Sequence, residues 1–228
     1  MIFDGSKFSF EKLEKEFNGI IGTIENSYSK TMSLDSLPED TALIIIDMIN
    51  GFAKGGNLYS KNMENLIPTI KATAQKFKEK NMPIISYKDC HPRDSLEFIA
   101  YPEHCVIDTK ESELVNELKI VDSIIEIPKN STNGFLAYNP YEVLKEKFGE
   151  EKEFTNYVVV GGCTDICIYQ FALTLKTFFN EKNRNSKVIV PINMVDTFDA
   201  EGHNSDVVNL FFLNSMISNG IEVVKTID

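Results

Sequence analysis

Six apolar runs of strand length constrain this chain more than any other feature: Thr41–Asp47, Pro83–Tyr87, Ser123–Ile127, Tyr157–Gly161, Lys187–Pro191 and Ile221–Val224. They are rich in β-branched residues and mostly lack polar alternation, the pattern of strands buried on both faces. Helical spacing separates most of them. Met63, Leu66, Ile67, Ile70, Ala74 and Phe77 share one helical face, as do Val207, Val208, Phe211, Phe212 and Met216, with Gly220 after Asn219 as a stop signal. Strands alternating with helices require a parallel sheet with right-handed crossovers. The expected class is therefore α/β: a three-layer α/β/α sandwich around a six-stranded, mainly parallel, doubly wound sheet. Residues 41–228 would form this domain. Residues 1–40 read as an N-terminal helical extension, with Phe10, Leu13, Phe17, Ile20 and Ile21 at helical spacing and a turn at Leu37-Pro38-Glu39-Asp40. Ligands of doubly wound sheets bind beyond the carboxyl ends of the strands. A real site should therefore draw residues from just after several strands.

Charge and cysteine usage narrow the function classes. With 34 acidic and 23 basic residues the net charge is −11, which disfavours a nucleic-acid binder, since that needs a basic face. No apolar run is long enough for a membrane span, and the first residues lack the basic start and apolar core of a signal peptide. Ile2 and the C-terminal TID offer no lipid-anchor signal. The four cysteines, at 90, 105, 163 and 167, contain no CxxC pair, so a zinc ribbon or thioredoxin-type motif is excluded. The expectation is a cytoplasmic protein with reduced thiols, and a small-molecule or protein partner.

Chemistry-bearing residues do gather at strand ends. The first strand closes on Asp47, either a turn or capping residue or a catalytic group; the glycine loop after it lacks the GKS/GKT ending of a phosphate loop. The second strand ends in Asp89-Cys90-His91-Pro92, with His104 in the same loop region. Asp and His at i and i+2 of an extended segment point to one side. Two imidazoles and a carboxylate suit Zn, Fe or Mn, although two surface histidines would read the same way. Lys129 follows the third strand, where a lysine is usually solvated. The fourth strand runs into Gly161-Gly162-Cys163-Thr164-Asp165-Ile166-Cys167. Glycines before a helix can aim backbone N–H groups at a ligand, and Asp165 is a plausible N-cap. Cys167 in the first helical turn, near a lysine, would have its thiolate favoured; its ordinary alternative is a small core residue. An acid, a cation and a thiol at neighbouring strand ends make a nucleophilic constellation.

At these residues the chain resembles the isochorismatase-like cysteine hydrolases, and within them the nicotinamidases. The resemblance covers about residues 41–228. It rests on IIIDMINGFAKGGNL, on IPKNSTNGF, on the turn VVGGCTDICIY, and on DCHPRDSLEF followed by YPEHCVIDT. It implies a catalytic triad of Asp47, Lys129 and Cys167, an oxyanion hole from the backbone N–H groups of Cys163 and Cys167, and a cis peptide just before Cys163. It implies one divalent metal ion, Zn first and Fe or Mn otherwise, held by Asp89, His91 and His104. The activity so implied is hydrolysis of nicotinamide to nicotinate and ammonia through a thioester, within the recycling of nicotinamide toward NAD. Family habit and the extra N-terminal helix suggest a homo-oligomer. Tyr101 stands where these enzymes often have Trp, and Asn130 where Gly often follows the lysine.

Phe52, Tyr101 and Phe135 are candidate walls of a flat aromatic pocket. Cys90 and Cys105 read as fillers pointed away by extended backbone, His203 as a structural residue at the start of the last helix, and Gly161 and Gly162 as steric necessities. Two other functions fit the same residues: a related amidase acting on a carbamoyl or ureido compound, and a non-catalytic metal-binding or regulatory protein using the N-terminal segment to bind a partner.

Overall fold

The computed structural model describes residues 9–228, so the first eight residues of the expected extension lie outside the described residues. Helix α1 (Phe10–Tyr28) is followed by β1 (Thr31–Met32), β2 (Thr41–Ile46), α2 (Asn50–Ala53), α3 (Lys61–Glu79) and β3 (Ile84–Asp89). Next come α4 (Asn116–Lys119), β4 (Ile124–Lys129), α5 (Gly134–Ala137), α6 (Pro140–Phe148) and β5 (Asn156–Gly162). The chain ends with α7 (Tyr169–Glu181), β6 (Lys187–Pro191), β7 (Val195–Asp196), α8 (Ser205–Ser218), β8 (Glu222–Val224) and β9 (Thr226–Ile227).

All six expected strands form. They hydrogen-bond in the order β4-β3-β2-β5-β6-β8, every pair parallel. A seventh strand missing from the sequence reading, β7, pairs with β5 alone. Its two residues are too few to carry a periodic signal. Pro128, which cannot donate to a ladder, sits on the edge strand β4.

Side-chain alternation sorts the central strands into two cores. Leu43 and Ile45 pack with Met63, Ile67, Ile70 and Phe77 of α3 on one face. Ile44 and Ile46 pack with Leu144 of α6, Phe171 and Leu175 of α7 and Met216 of α8 on the other. Each such side chain contributes about 1.5–3 kcal/mol by leaving water, so the three-layer sandwich is the arrangement in which both strand faces are covered. Ser60 caps α3, its hydroxyl accepting from the Asn62 N–H.

The face expected of α8 is only partly right. Leu213 and Met216 point to the sheet, whereas Val207 and Phe211 stay 41% and 45% exposed. They lie on the outer side, where Phe17 of α1 meets Phe211 edge-on at 5.8 Å between ring centroids. The helix is apolar on both sides because it is the layer on which α1 rests. The segment after α1 is also tied down, because β1 pairs with β9 near the C-terminus. Among the described residues no helix is long and apolar enough to cross a membrane.

Strand order reverses between β2 and β5, so the loops leaving them diverge to opposite faces and open a crevice there. Gly161 makes the close approach possible: its φ is +115°, and a Cβ would overlap the Ile46 carbonyl. At Gly162 a Cβ would overlap the Met63 thioether, and the Gly162–Cys163 peptide is cis.

Candidate active site

Neighbouring strands deliver their last side chains to one point. Asp89 and Lys129 end β3 and β4 as register partners, so their side chains lie side by side and form a buried ion pair. Asp47, just past β2, has a φ of 56°. The left-handed turn redirects its side chain, whose Oδ1 accepts from the Asp89 N–H at 2.9 Å while Oδ2 lies 2.9 Å from Lys129 Nζ. The ammonium also donates to the Ser131 carbonyl at 3.2 Å and lies 3.8 Å from Cys167 Sγ. Asp47, Asp89 and Lys129 are each at most 2% exposed. An acid, a cation and a thiol from three strand ends therefore meet, and the ligating atoms of Asp47, Asp89 and Cys167 lie within 4.8 Å of one another.

Burial and the neighbouring charges together set the protonation of this cluster. Burial and then the Asp89 charge push the Asp47 carboxyl up to about 7, with Lys129 and Cys167 opposing. Burial works against the Lys129 charge, but the carboxylates of Asp47 and Asp89 outweigh it and hold the ammonium well above its usual range. For Cys167 the expectation of a favoured thiolate is reversed. Burial raises its thiol well above the usual value, Lys129 lowers it only in part, and Asp47 and Asp89 raise it again. The resting group is a thiol beside a carboxylate able to take its proton.

The turn holding Cys167 is wider than expected. Thr164–Ile168 forms a single π-helical turn before α7, and Cys163, not Asp165, occupies its capping position. The Cys163 carbonyl accepts from the N–H groups of Ile166 and Ile168, both at 3.1 Å, and not from that of Cys167 between them. Asp165 looks outward instead, accepting from Thr197 Oγ1 at 2.6 Å and facing His203 Nε2 at 3.0 Å.

Beside the thiol lie Asp89, His91, Glu97 and His104, whose ligating atoms fall within 4.8 Å of one another. The segments bearing the histidines are stitched together: the His91 N–H donates to the Cys105 carbonyl at 3.0 Å and the Ile107 N–H to the His91 carbonyl at 2.8 Å. Each ring spends its Nδ1 hydrogen elsewhere. His91 Nδ1 donates to Asn130 Oδ1 at 2.9 Å, and His104 Nδ1 to the Pro102 carbonyl at 2.8 Å. Both Nε2 atoms then face Asp89, at 3.5 and 3.7 Å. His91 Nε2 is buried without a hydrogen-bond partner. Two imidazoles oriented through their far nitrogens, with a buried and unpartnered Nε2 beside a carboxylate, fit a divalent metal.

Sequence reasoning missed Glu97, although its place between the two histidines, in DSLEF, was a visible signal. Asn130, noted only as a departure, is the residue that orients His91. Cys105 is buried as expected, but its φ is 46°, not extended.

A cavity of about 280 Å³ opens over these groups, lined by Asp47, Phe52, Tyr101, His104, Cys167 and Phe198 among others. Of the three aromatic candidates, Phe52 and Tyr101 line this cavity. Phe135 does not line it. Asn133 caps α5 and turns Phe135 back onto α7, where it packs edgewise on Phe171 at 6.3 Å and against Phe178 at 5.4 Å.

Fold and crevice place the chain in a class. It belongs to the isochorismatase family, whose domain matches residues 41–225. Among curated relatives it is 31% identical over 164 residues to nicotinamidase 1 of Arabidopsis thaliana, a match covering 67% of this chain and 65% of that protein. It is 24% identical over 176 residues to the nicotinamidase of Acinetobacter baylyi, covering 65% of this chain and 78% of that one. Among solved structures, the nicotinamidase of Bacillus subtilis superposes with a TM-score of 0.65 at 24% identity, over 81% of this chain and 99% of that one. The pyrazinamidase of Pyrococcus horikoshii, solved in complex with zinc, gives 0.65 at 24% identity, over 82% and 99%. At these identities the structural likenesses establish the fold.

Proposed function

We propose that this chain is a metal-containing cysteine amidohydrolase that converts nicotinamide to nicotinate and ammonia, with residues 41–228 as its catalytic domain. The observation that carries the reading is the convergence of Asp47, Lys129 and Cys167 beside the Asp89, His91, Glu97 and His104 cluster in one crevice. The similarity to plant and bacterial nicotinamidases supports the same choice of substrate.

Asp47 takes the thiol proton as Cys167 Sγ attacks the carboxamide carbon. The backbone N–H groups of Cys163 and Cys167 hold the oxyanion, each worth about 3 kcal/mol in the transition state. Protonated Asp47 then passes its proton to the departing amide nitrogen, which leaves as ammonia, and a thioester remains. Asp47 next removes a proton from water; the hydroxyl group attacks the thioester, Cys167 leaves and recovers its proton from Asp47, and the acid so formed loses its remaining proton to solvent as nicotinate. Throughout, Lys129 balances the charge of the two buried carboxylates. Phe52 and Tyr101 flank the substrate ring. A bound divalent ion, zinc by preference, would supply a Lewis-acidic anchor for the pyridine nitrogen and so position the carboxamide.

The test is ammonia release from nicotinamide, pyrazinamide and benzamide by the full chain, beside elemental analysis. The first two are expected to turn over well and benzamide poorly, since benzamide keeps the ring and amide but lacks the nitrogen. Equal turnover of benzamide with metal bound would remove the ring-nitrogen role. No ammonia from nicotinamide would sink the reading.

A further inference from the structure

The loop from Thr197 to His203, between β7 and α8, forms part of the cavity wall through Phe198 and Asp199. It is pinned from two sides. Asn62, near the start of α3, donates to the Thr197 carbonyl at 2.8 Å and to Asp199 Oδ2 at 3.1 Å. From the other side comes Asp165, in the turn that carries Cys167. Thr197 Oγ1 donates to its Oδ1, and His203 Nε2 bonds its Oδ2.

His203 makes three contacts at once. Besides Asp165, its Nδ1 donates to the Phe198 carbonyl at 2.9 Å. Its ring lies parallel to the Phe198 ring, with centroids 4.0 Å apart. A carbonyl and a carboxylate are both acceptors, so both ring nitrogens need hydrogens and the paired ring is an imidazolium. Burial opposes that charge, but the bonds to Asp165 and the Phe198 carbonyl outweigh it and hold the ring's affinity for its proton above the ordinary value. An imidazolium over a phenyl face is also a favourable cation–π pair. Helix capping does not explain the residue. Asn204 is the cap of α8, and a cation at a helix N-terminus opposes the helix dipole.

We propose that His203 is a positioning residue: it holds Phe198 as one wall of the substrate cavity and locks that wall to the turn that carries Cys167. The proposal rests on the amidohydrolase reading for its substrate. The wall faces an aromatic ring, so the predicted effect is on substrate binding more than on the chemical step.

The experiment uses the full, metal-loaded chain and compares wild type with His203→Ala, His203→Gln, Phe198→Ala and the double alanine variant. Ammonia release from nicotinamide gives kcat and KM. His203→Ala is expected to raise KM about tenfold while changing kcat less than about threefold. Phe198→Ala should do the same, and the double variant should be no worse than Phe198→Ala, because one residue acts through the other. His203→Gln, whose amide can still donate to Asp165, should recover part of the loss. Multiplying KM effects in the double variant, an unchanged KM in His203→Ala, or no recovery in His203→Gln would overturn the proposal. A second readout needs no turnover: amide hydrogen exchange in the Thr197–His203 loop should quicken about tenfold in His203→Ala, with α3 unaffected. Unchanged exchange overturns the positioning role. Absence of nicotinamide hydrolysis in wild type would instead overturn the functional reading and leave this second readout to decide the role of His203.

Discussion

Lys129→Met is the substitution that asks most of the site. Methionine matches the lysine stem in length and keeps the packing, so the change removes a charge and little else. That charge is 1% exposed and lies between two buried carboxylates, 2.9 Å from Asp47 and paired with Asp89. Removing one partner of a buried ion pair costs about 3–5 kcal/mol, because the other charge is left uncompensated. In a chain of this size each kcal/mol moves the melting temperature by about 2–4 °C, so a fall of about 6–20 °C is expected. Activity should suffer independently. A cation at this range favours an ionised carboxylate by about 6 kcal/mol at an effective dielectric of 20, so the ionised fraction of Asp47 should fall by about 10⁴. Thermal melting and ammonia release on the same preparation separate the two effects. Adding Asp89→Asn to Lys129→Met removes the second carboxylate, and should restore part of the melting temperature without restoring turnover. If Lys129→Met melts within about 2 °C of wild type and keeps a tenth of its activity, the cation is not balancing this cluster and the charge argument is wrong.

Cys167→Ala should abolish ammonia release while the melting temperature holds, since one sulfur at the crevice floor contributes little beside the loss of the nucleophile; Cys163→Ala should stay active because its backbone N–H is the working group, and the reverse pattern would reassign the nucleophile. His91→Ala or His104→Ala should empty the metal cluster in elemental analysis. Asn130→Gly, which frees the His91 ring, should weaken metal binding about 10–100-fold in a chelator competition, and unchanged affinity would show that the Asn130 bond does not orient the ligand.

Local pattern and long-range placement were legible to different degrees. The strands were readable because a run such as ALIII, apolar at every position, can be satisfied only by a sheet covered on both faces, and Ile44 and Ile45 indeed face opposite cores. The face of α8 was not, because a helix that supports α1 on one side and the sheet on the other has two apolar stripes, and periodicity cannot say which points inward. Phe135 failed for a related reason: an aromatic residue near a catalytic lysine is as readily a core residue when a capping asparagine turns the chain away. The groups at the strand ends were recognisable as chemistry, but their protonation was not. A lysine and a helix start favour a thiolate, but at Cys167, 6% exposed, burial and the charges of Asp47 and Asp89 outweigh them.

What made the crevice legible at all is topology. Chain order reverses once in the sheet, between β2 and β5, and residues just past the ends of these two strands and at the ends of β3 and β4 become neighbours although they lie up to 120 positions apart. A sequence reader who trusts the strand assignments can therefore collect Asp47, Asp89, Lys129 and the Cys163–Cys167 turn without any knowledge of distance. The same rule does not reach Glu97, which lies in the loop after β3, or His203, which approaches from the far side of β7. Glu97 is brought in by the stitched loop that also carries His104, and His203 by a carboxylate on the nucleophile turn itself. Groups of this second kind depend on a particular loop conformation, so they are where members of one fold are free to differ in metal and substrate preference. The His203–Phe198 pair is the place where this chain's pocket shape departs from what the strand ends alone dictate.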